Sequence, residues 1–151
     1  MSSSVSLEYL NERLEVYPIS RTAMCAQNAG GKQIVVKRPK TVLPFEAMIY
    51  NQGFLVNEQG TEFMLEHKGT YFIQYQINTT GSLLAQSAVY KNDAALGGLT
   101  CGLGEALSLY SGSGIVSLEQ GDILQLVLLG LEEETVLEEG LGAVLNLIRI
   151  S

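Results

Sequence analysis

His67 is the only histidine in the chain, and Cys25 and Cys101 are its only cysteines. A protein metal site of the usual kind draws several ligands from His, Cys and carboxylates, and one histidine cannot supply that set. His67 stands beside Lys68 and Gly69, a combination that predicts a solvent-exposed turn residue rather than a general base. Neither cysteine has a histidine or basic cluster beside it in sequence, so neither has a visible activator for a thiolate nucleophile. Two cysteines are also too few for a disulfide framework, and the sequence leaves open whether they are free or paired. The two aspartates, Asp93 and Asp122, each fall in a turn-like context, where a short carboxylate caps its own backbone. The densest acidic run is Glu132-Glu133-Glu134 followed by Glu138-Glu139, expected as a loop. Carboxylates in number are hard-cation ligands, and equally they keep a loop solvated and self-repelling. Lys32, Lys37, Arg38 and Lys40 hold four of the nine basic residues. They suit an anion-binding patch, or more commonly an edge protected by lysines. Asn78-Thr79-Thr80 fits the N-glycosylation sequon, which would carry no meaning in a product that stays in the cytoplasm. None of these groups assembles a catalytic constellation.

The elements that carry these residues are short. The chain has 151 residues, 46% hydrophobic and 17% charged, enough for one domain with a sizeable core. A net charge of −7 argues against nucleic-acid binding, which needs a basic face. The N-terminus has neither a basic n-region nor an apolar h-region, which predicts a product made in the cytoplasm without a signal peptide. The greasiest run, Ile123 to Leu131, contains Gln125 and is too short to span a bilayer. Leu7, Leu10, Leu14 and Tyr17 recur at helical spacing. They predict an N-terminal segment over residues 1–17, either a short helix docked on its own domain or a small coiled-coil seam, ended by Pro18. From residue 18 the pattern is β. Ten strands are expected: Ile19–Ala26, Gln33–Val36, Met48–Asn51, Glu62–Leu65, Tyr71–Asn78, Leu83–Tyr90, Ala106–Tyr110, Gly114–Leu118, Ile123–Leu129 and Gly142–Ile150. Turns are expected at Asn28–Gly31, Asn57–Gly60, Lys91–Asp93, Ser111–Gly114 and Glu119–Asp122. Such an all-β pattern predicts a two-sheet jelly roll.

Residues 45 to 75 narrow the reading. Phe45, Asn51, Val56, Phe63 and then Gly69-Thr70-Tyr71-Phe72-Ile73-Gln74-Tyr75 resemble the signature of the C1q/TNF-like superfamily, with departures only at Val56 and Ile73. Phe45-Glu46-Ala47-Met48-Ile49-Tyr50-Asn51 is similar to the family's entry strand. The stretches Gly114–Ile123 and Ala143–Ile150 resemble the bacterial branch, the C-terminal heads of collagen-like glycoproteins on the exosporium of bacterial spores. The likeness covers residues 18 to 151, although no Gly-X-Y collagen run occurs in this chain.

The resemblance implies a compact jelly roll that trimerises and presents a surface. Tyr71, Ile73, Tyr75 and Ile77 alternate with Phe72, Gln74, Gln76 and Asn78 along one strand. The first set is expected in the core. The second is a wet face in a monomer, and faces the threefold axis if the resemblance holds. Ile123–Leu129 is apolar on both faces and asks for cover on both, from a helix, a loop or another subunit. The trimer reading therefore takes Phe72, Gln74, Gln76, Leu124, Leu126 and Leu128 as candidate interface residues. The resemblance also implies that each cysteine lies in or near a strand as a buried free thiol. No cofactor is expected. Calcium is the one cation considered, because some members of this family bind it near the trimer apex, where the acidic runs of three copies could converge.

Three functions are weighed. The first is a non-enzymatic homotrimeric head, a structural or adhesive component deposited on a bacterial spore surface beside other surface proteins, without membrane insertion. The second is a receptor- or ligand-binding trimeric head of another assembly, such as a phage tail or a secreted ligand. The third, an enzyme, would need a pocket of convergent polar groups.

Overall fold

The computed structural model of the chain describes residues 20–102 and 104–151. The Leu7–Tyr17 stripe and the expected helix or seam lie outside the described residues. The described residues form twelve strands: β1 Ala23–Gly30, β2 Gln33–Val36, β3 Thr41–Val42, β4 Ala47–Gln52, β5 Phe54–Val56, β6 Phe63–Leu65, β7 Gly69–Lys91, β8 Ala94–Cys101, β9 Ala106–Leu118, β10 Ile123–Gly130, β11 Glu133–Val136 and β12 Glu139–Arg149. The first sheet runs β4-β1-β12-β7-β9 and the second runs β5-β6-β10-β7-β8, with β3 also on β10. β2 and β11 pair separately.

β7 belongs to both sheets. Its first half pairs with β12 and most of β9, and its second half with β10, β8 and the start of β9. The crossing lies between Asn78 and Leu83, where the β9 register shifts. There Thr79 Oγ1 donates to Gly81 O at 2.7 Å, and a side chain at Gly81 would meet only open space. Two strands were expected here; what sequence reads as a break is a bend within one strand. β9 is likewise one strand where two were expected. Ser111–Gly114 is not a turn. A Cβ at Gly112 would stand 2.7 Å from the Tyr75 ring, so that glycine makes room for a core tyrosine rather than reversing the chain.

Other corrections have similar causes. β1 extends to Gly30, through residues expected as a turn, because Asn28 and Gly30 still pair with β12 after the pairing with β4 has ended at Gln27. β3, β5, β8 and β11 are additional strands, each short or low in β-branched residues and held by its neighbours. The expected acidic loop contains β11, whose Glu133 and Glu134 pair opposite Val36 and Val35 of β2. The Lys91–Asp93 turn is present, with positive φ at Asn92 (49°) and Asp93 (67°), the conformation of a two-residue hairpin loop.

One core fills the space between the sheets. Tyr71, Ile73, Tyr75 and Ile77 of β7 enter it from the first sheet with Met24, Ala26, Leu145 and Leu147. Leu124, Leu126 and Leu128 of β10 enter from the second with Phe63, Leu65 and Val89. The signature residues are packing residues. Phe45 and Phe63 stack edge-on at 5.7 Å, and Phe54 meets Tyr71 at 6.0 Å. Asn51 Nδ2 donates to Phe54 O at 3.0 Å, tying the β4–β5 turn.

Candidate functional site

β-pleating sends alternate residues of the first sheet outward. Three rows of outward residues cross four of its five strands, β1, β12, β7 and β9, in register. Ala23, Ile148, Phe72 and Ile115 form the first; Cys25, Asn146, Gln74 and Ser113 the second; Gln27, Val144, Gln76 and Ser111 the third. Beyond the third row Asn78 stands opposite Leu109. None of these residues is charged, in a chain that is 17% charged. Ile115 and Ile148 are 65% and 46% exposed, and Leu109 is 52% exposed. An exposed sheet face that carries apolar residues and excludes charge has the composition of a contact core rather than of free surface.

The middle of this face is polar and organised. Asn146 Nδ2 donates to Gln74 Oε1 at 2.9 Å. Gln76 Nε2 donates to Asn78 Oδ1 at 3.2 Å, and Asn78 Nδ2 donates to Leu141 O at 2.9 Å. Cys25 lies in the same row as Asn146, and burial pushes its thiol up from the ordinary value.

The structure divides the candidate residues. Phe72, Gln74 and Gln76 share the outer face and are half-buried. Leu124, Leu126 and Leu128 do not lie there. All three are fully buried in the core of the single chain, so they have no surface left to offer a partner. Their assignment to an interface is corrected: β10 turns its even-numbered residues inward, opposite to the expected orientation. Cover for its other face comes in part from a loop of the same chain. Lys40 Nζ binds Gln125 Oε1 at 3.0 Å and Asp93 at 2.7 Å, and lies 5.0 Å from the Tyr90 ring centre. Sequence reasoning read Ile148 as apolar and in need of cover but missed Asn146 and Ile115, because only the strand register brings these residues beside Phe72 and Gln74.

The chemistry-bearing residues disperse. Cys25 and Cys101 are both free. His67 is exposed, and its carbonyl accepts from Tyr71 Oη at 2.6 Å. It borders a shallow pocket of about 650 Å³ with Lys68, Glu119 and Arg149. Arg149 Nε is buried there without a partner among the described residues, packed where a Cβ on Gly69 would stand. Among the described residues no three His, Cys, Asp or Glu side chains come together as a metal site, and no helix is long and apolar enough to cross a membrane. Burial raises the phenols of Tyr71, Tyr75 and Tyr110, and all three act as core hydrogen-bond donors rather than as acids.

Similar architecture occurs in proteins of low identity. The globular domain of zebrafish complement 1qA protein is 14% identical, with 87% of this chain and 98% of that chain covered and a TM-score of 0.64. Murine APRIL is 15% identical, covering 85% and 98%, with a TM-score of 0.63. Eiger TNF from S. frugiperda is 14% identical, covering 86% and 92%, with a TM-score of 0.60. At this identity the likeness shows the fold, a C1q/TNF-like jelly roll. No curated protein sequence matches the chain. The model of one family, the BclA C-terminal domain, matches residues 24–151, which spans all twelve strands but the first residue of β1. The chain belongs to the BclA C-terminal domain family.

Proposed function

We propose that this protein is a non-enzymatic homotrimeric head that serves as a structural or adhesive component of a bacterial spore surface. The observation that carries the reading is the charge-free outer face of the first sheet, with Phe72, Ile115 and Ile148 at one end and paired amides in the middle. A closed ring of identical subunits needs a surface that each copy can bury, and this face supplies one without burying an unpaired charge. Three copies meeting there form a rigid knob, with the loops at its ends and the outer face of the second sheet left to meet the environment. The spore-surface setting rests on family membership and on the likeness of Gly114–Ile123 and Ala143–Ile150 to exosporium heads. The dispersal of His67, Cys25 and Cys101 supports a role without catalysis.

A ligand-binding head is favoured by one observation. Leu55, Val56, Met64 and Ile123 line a shallow groove of about 230 Å³ on the second sheet, and Leu55 is 57% exposed. In the trimer this groove would face outward as a contact site for a partner protein.

Light scattering at low micromolar concentration tests the main reading. A mass near three times 16.4 kDa is the expected result, and a monomer across the accessible concentration range overturns it. Localisation of the protein by antibody on intact spores, against a vegetative-cell control, tests the setting.

A further inference from the structure

The polar middle of the outer face has a property that the apolar end lacks. Gln74, Asn146 and Gln76 are neutral carboxamides, each with two donor hydrogens and an acceptor oxygen. Within one chain they are half used. Gln74 spends its oxygen on Asn146 Nδ2, and Gln76 spends its nitrogen on Asn78 Oδ1. Gln74 Nε2, Asn146 Oδ1 and Gln76 Oε1 have no protein partner among the described residues. The leftover groups are therefore of both kinds, donor and acceptor, on adjacent strands in two successive outward rows of the sheet.

In a ring of three, each copy meets its neighbour head to tail and must present a donor on one side and an acceptor on the other. A carboxamide can do both, whereas a carboxylate has only acceptors and an ammonium only donors. From this geometry we infer that Gln74, together with Asn146 and Gln76, forms an interchain amide layer across the threefold axis, which sets the register of the subunits and holds their number at three. The inference rests on the trimer proposed above. The apolar row of Phe72, Ile115 and Ile148 supplies the driving force but no directionality. The amide layer supplies direction, because a copy rotated or slid out of register leaves amides buried and unpaired. A single polar position plays the same part in helical assemblies, where it fixes register and oligomer state at a cost in stability.

Two substitutions at Gln74 test the layer by light scattering and native mass analysis. Gln74→Glu is nearly isosteric and sits on a half-buried surface position, so the fold is retained, as circular dichroism will verify. It brings three carboxylates together and removes the donors. Like charges brought together in an interface cost several kcal/mol, so the trimer dissociation constant should rise by more than about a hundredfold at neutral pH. The trimer should return on acidification through the carboxyl range, about pH 4, because protonation restores a neutral donor–acceptor group. Gln74→Leu removes direction and keeps burial, and should convert one sharp trimer into a spread of masses. A trimer of unchanged affinity at pH 7 in Gln74→Glu, or a single sharp trimer in Gln74→Leu, overturns the amide layer. Should Gln74→Glu fail to fold, the Gln74→Leu result decides alone. A monomeric native chain would instead end the trimer reading itself, so the two failures are distinct.

Discussion

Tyr75 shows how much of this molecule is decided by single side chains. Its ring lies fully buried between the sheets. Its hydroxyl meets Ser87 Oγ at 2.8 Å and donates to Leu99 O at 3.1 Å, so one phenol bridges β7 to β8 across the core. Tyr75→Phe leaves the Leu99 carbonyl without its donor and the Ser87 hydroxyl without its acceptor, and should cost about 1–3 kcal/mol in urea unfolding. The same tyrosine dictates Gly112, where a methyl group would stand 2.7 Å from ring carbon Cε2. Gly112→Ala should therefore destabilise by about 1–3 kcal/mol through overpacking, although Gly-to-Ala in a strand without such a neighbour would stabilise it. The buried phenols also set an alkaline limit. Desolvation raises the pKa of Tyr71, Tyr75 and Tyr110 above the ordinary 10.0. The unfolded chain then releases protons first, so it binds fewer protons than the folded state and stability falls as pH rises. The neutral phenols contribute fully below pH 10 and that contribution is lost above it, as thermal melts between pH 8 and pH 11 would register.

Elements in this fold hold one another rather than themselves. The β7–β8 hairpin turns on Asn92 and Asp93, both at positive φ. Asn92 then stitches that turn to the start of β10: its Oδ1 accepts from Ile123 N at 2.9 Å, and its Nδ2 donates to Asp122 Oδ1 at 2.9 Å. Asn92→Ala loses both bonds and the tolerance for positive φ, and should cost about 1–3 kcal/mol in equilibrium unfolding. Alternation in Tyr71–Ile77 is legible in sequence, because one face is apolar and the other is not, apart from Phe72. β10 is not legible in the same way. With Ile123, Val127 and Leu129 on one side and Leu124, Leu126 and Leu128 on the other, hydrophobicity does not choose the inward face. Pairing with β7 and β6 chooses it, and a lysine reached from elsewhere in the chain helps to cover the other side. β3 escapes notice for a related reason, since its partner β10 is distant in sequence; β5 and β8 pair with near neighbours, but the first is only three residues long and the second is rich in alanine and glycine.

On the scale of the whole molecule, charge is distributed away from one face. A net charge of −7 would spread over an isolated sandwich, yet the outward rows of the first sheet carry none across β1, β12, β7 and β9. Ile115 is 65% exposed in the single chain. Ile115→Asp should thus alter the fold's own stability by no more than about 0.5 kcal/mol while abolishing the proposed trimer, a split that melts at two protein concentrations would expose. In the native protein the midpoint should rise with concentration, because assembly stabilises the folded state by mass action; in the variant it should not. Sequence by itself determined the fold class and family: the spacing of Phe45, Phe63, Gly69, Tyr71 and Tyr75 is a record of core packing, and packing patterns are local enough to read along a chain. It also determined that Phe72, Gln74 and Gln76 share a face, because strand alternation is a property of consecutive residues. Only the tertiary structure decided which face of β10 turns inward, that Ser111–Gly114 runs straight beneath a tyrosine, and that Asn146, Ile148 and Ile115 stand beside those three. Register between strands far apart in sequence is set by the packed core as a whole, and no run of neighbouring residues encodes it.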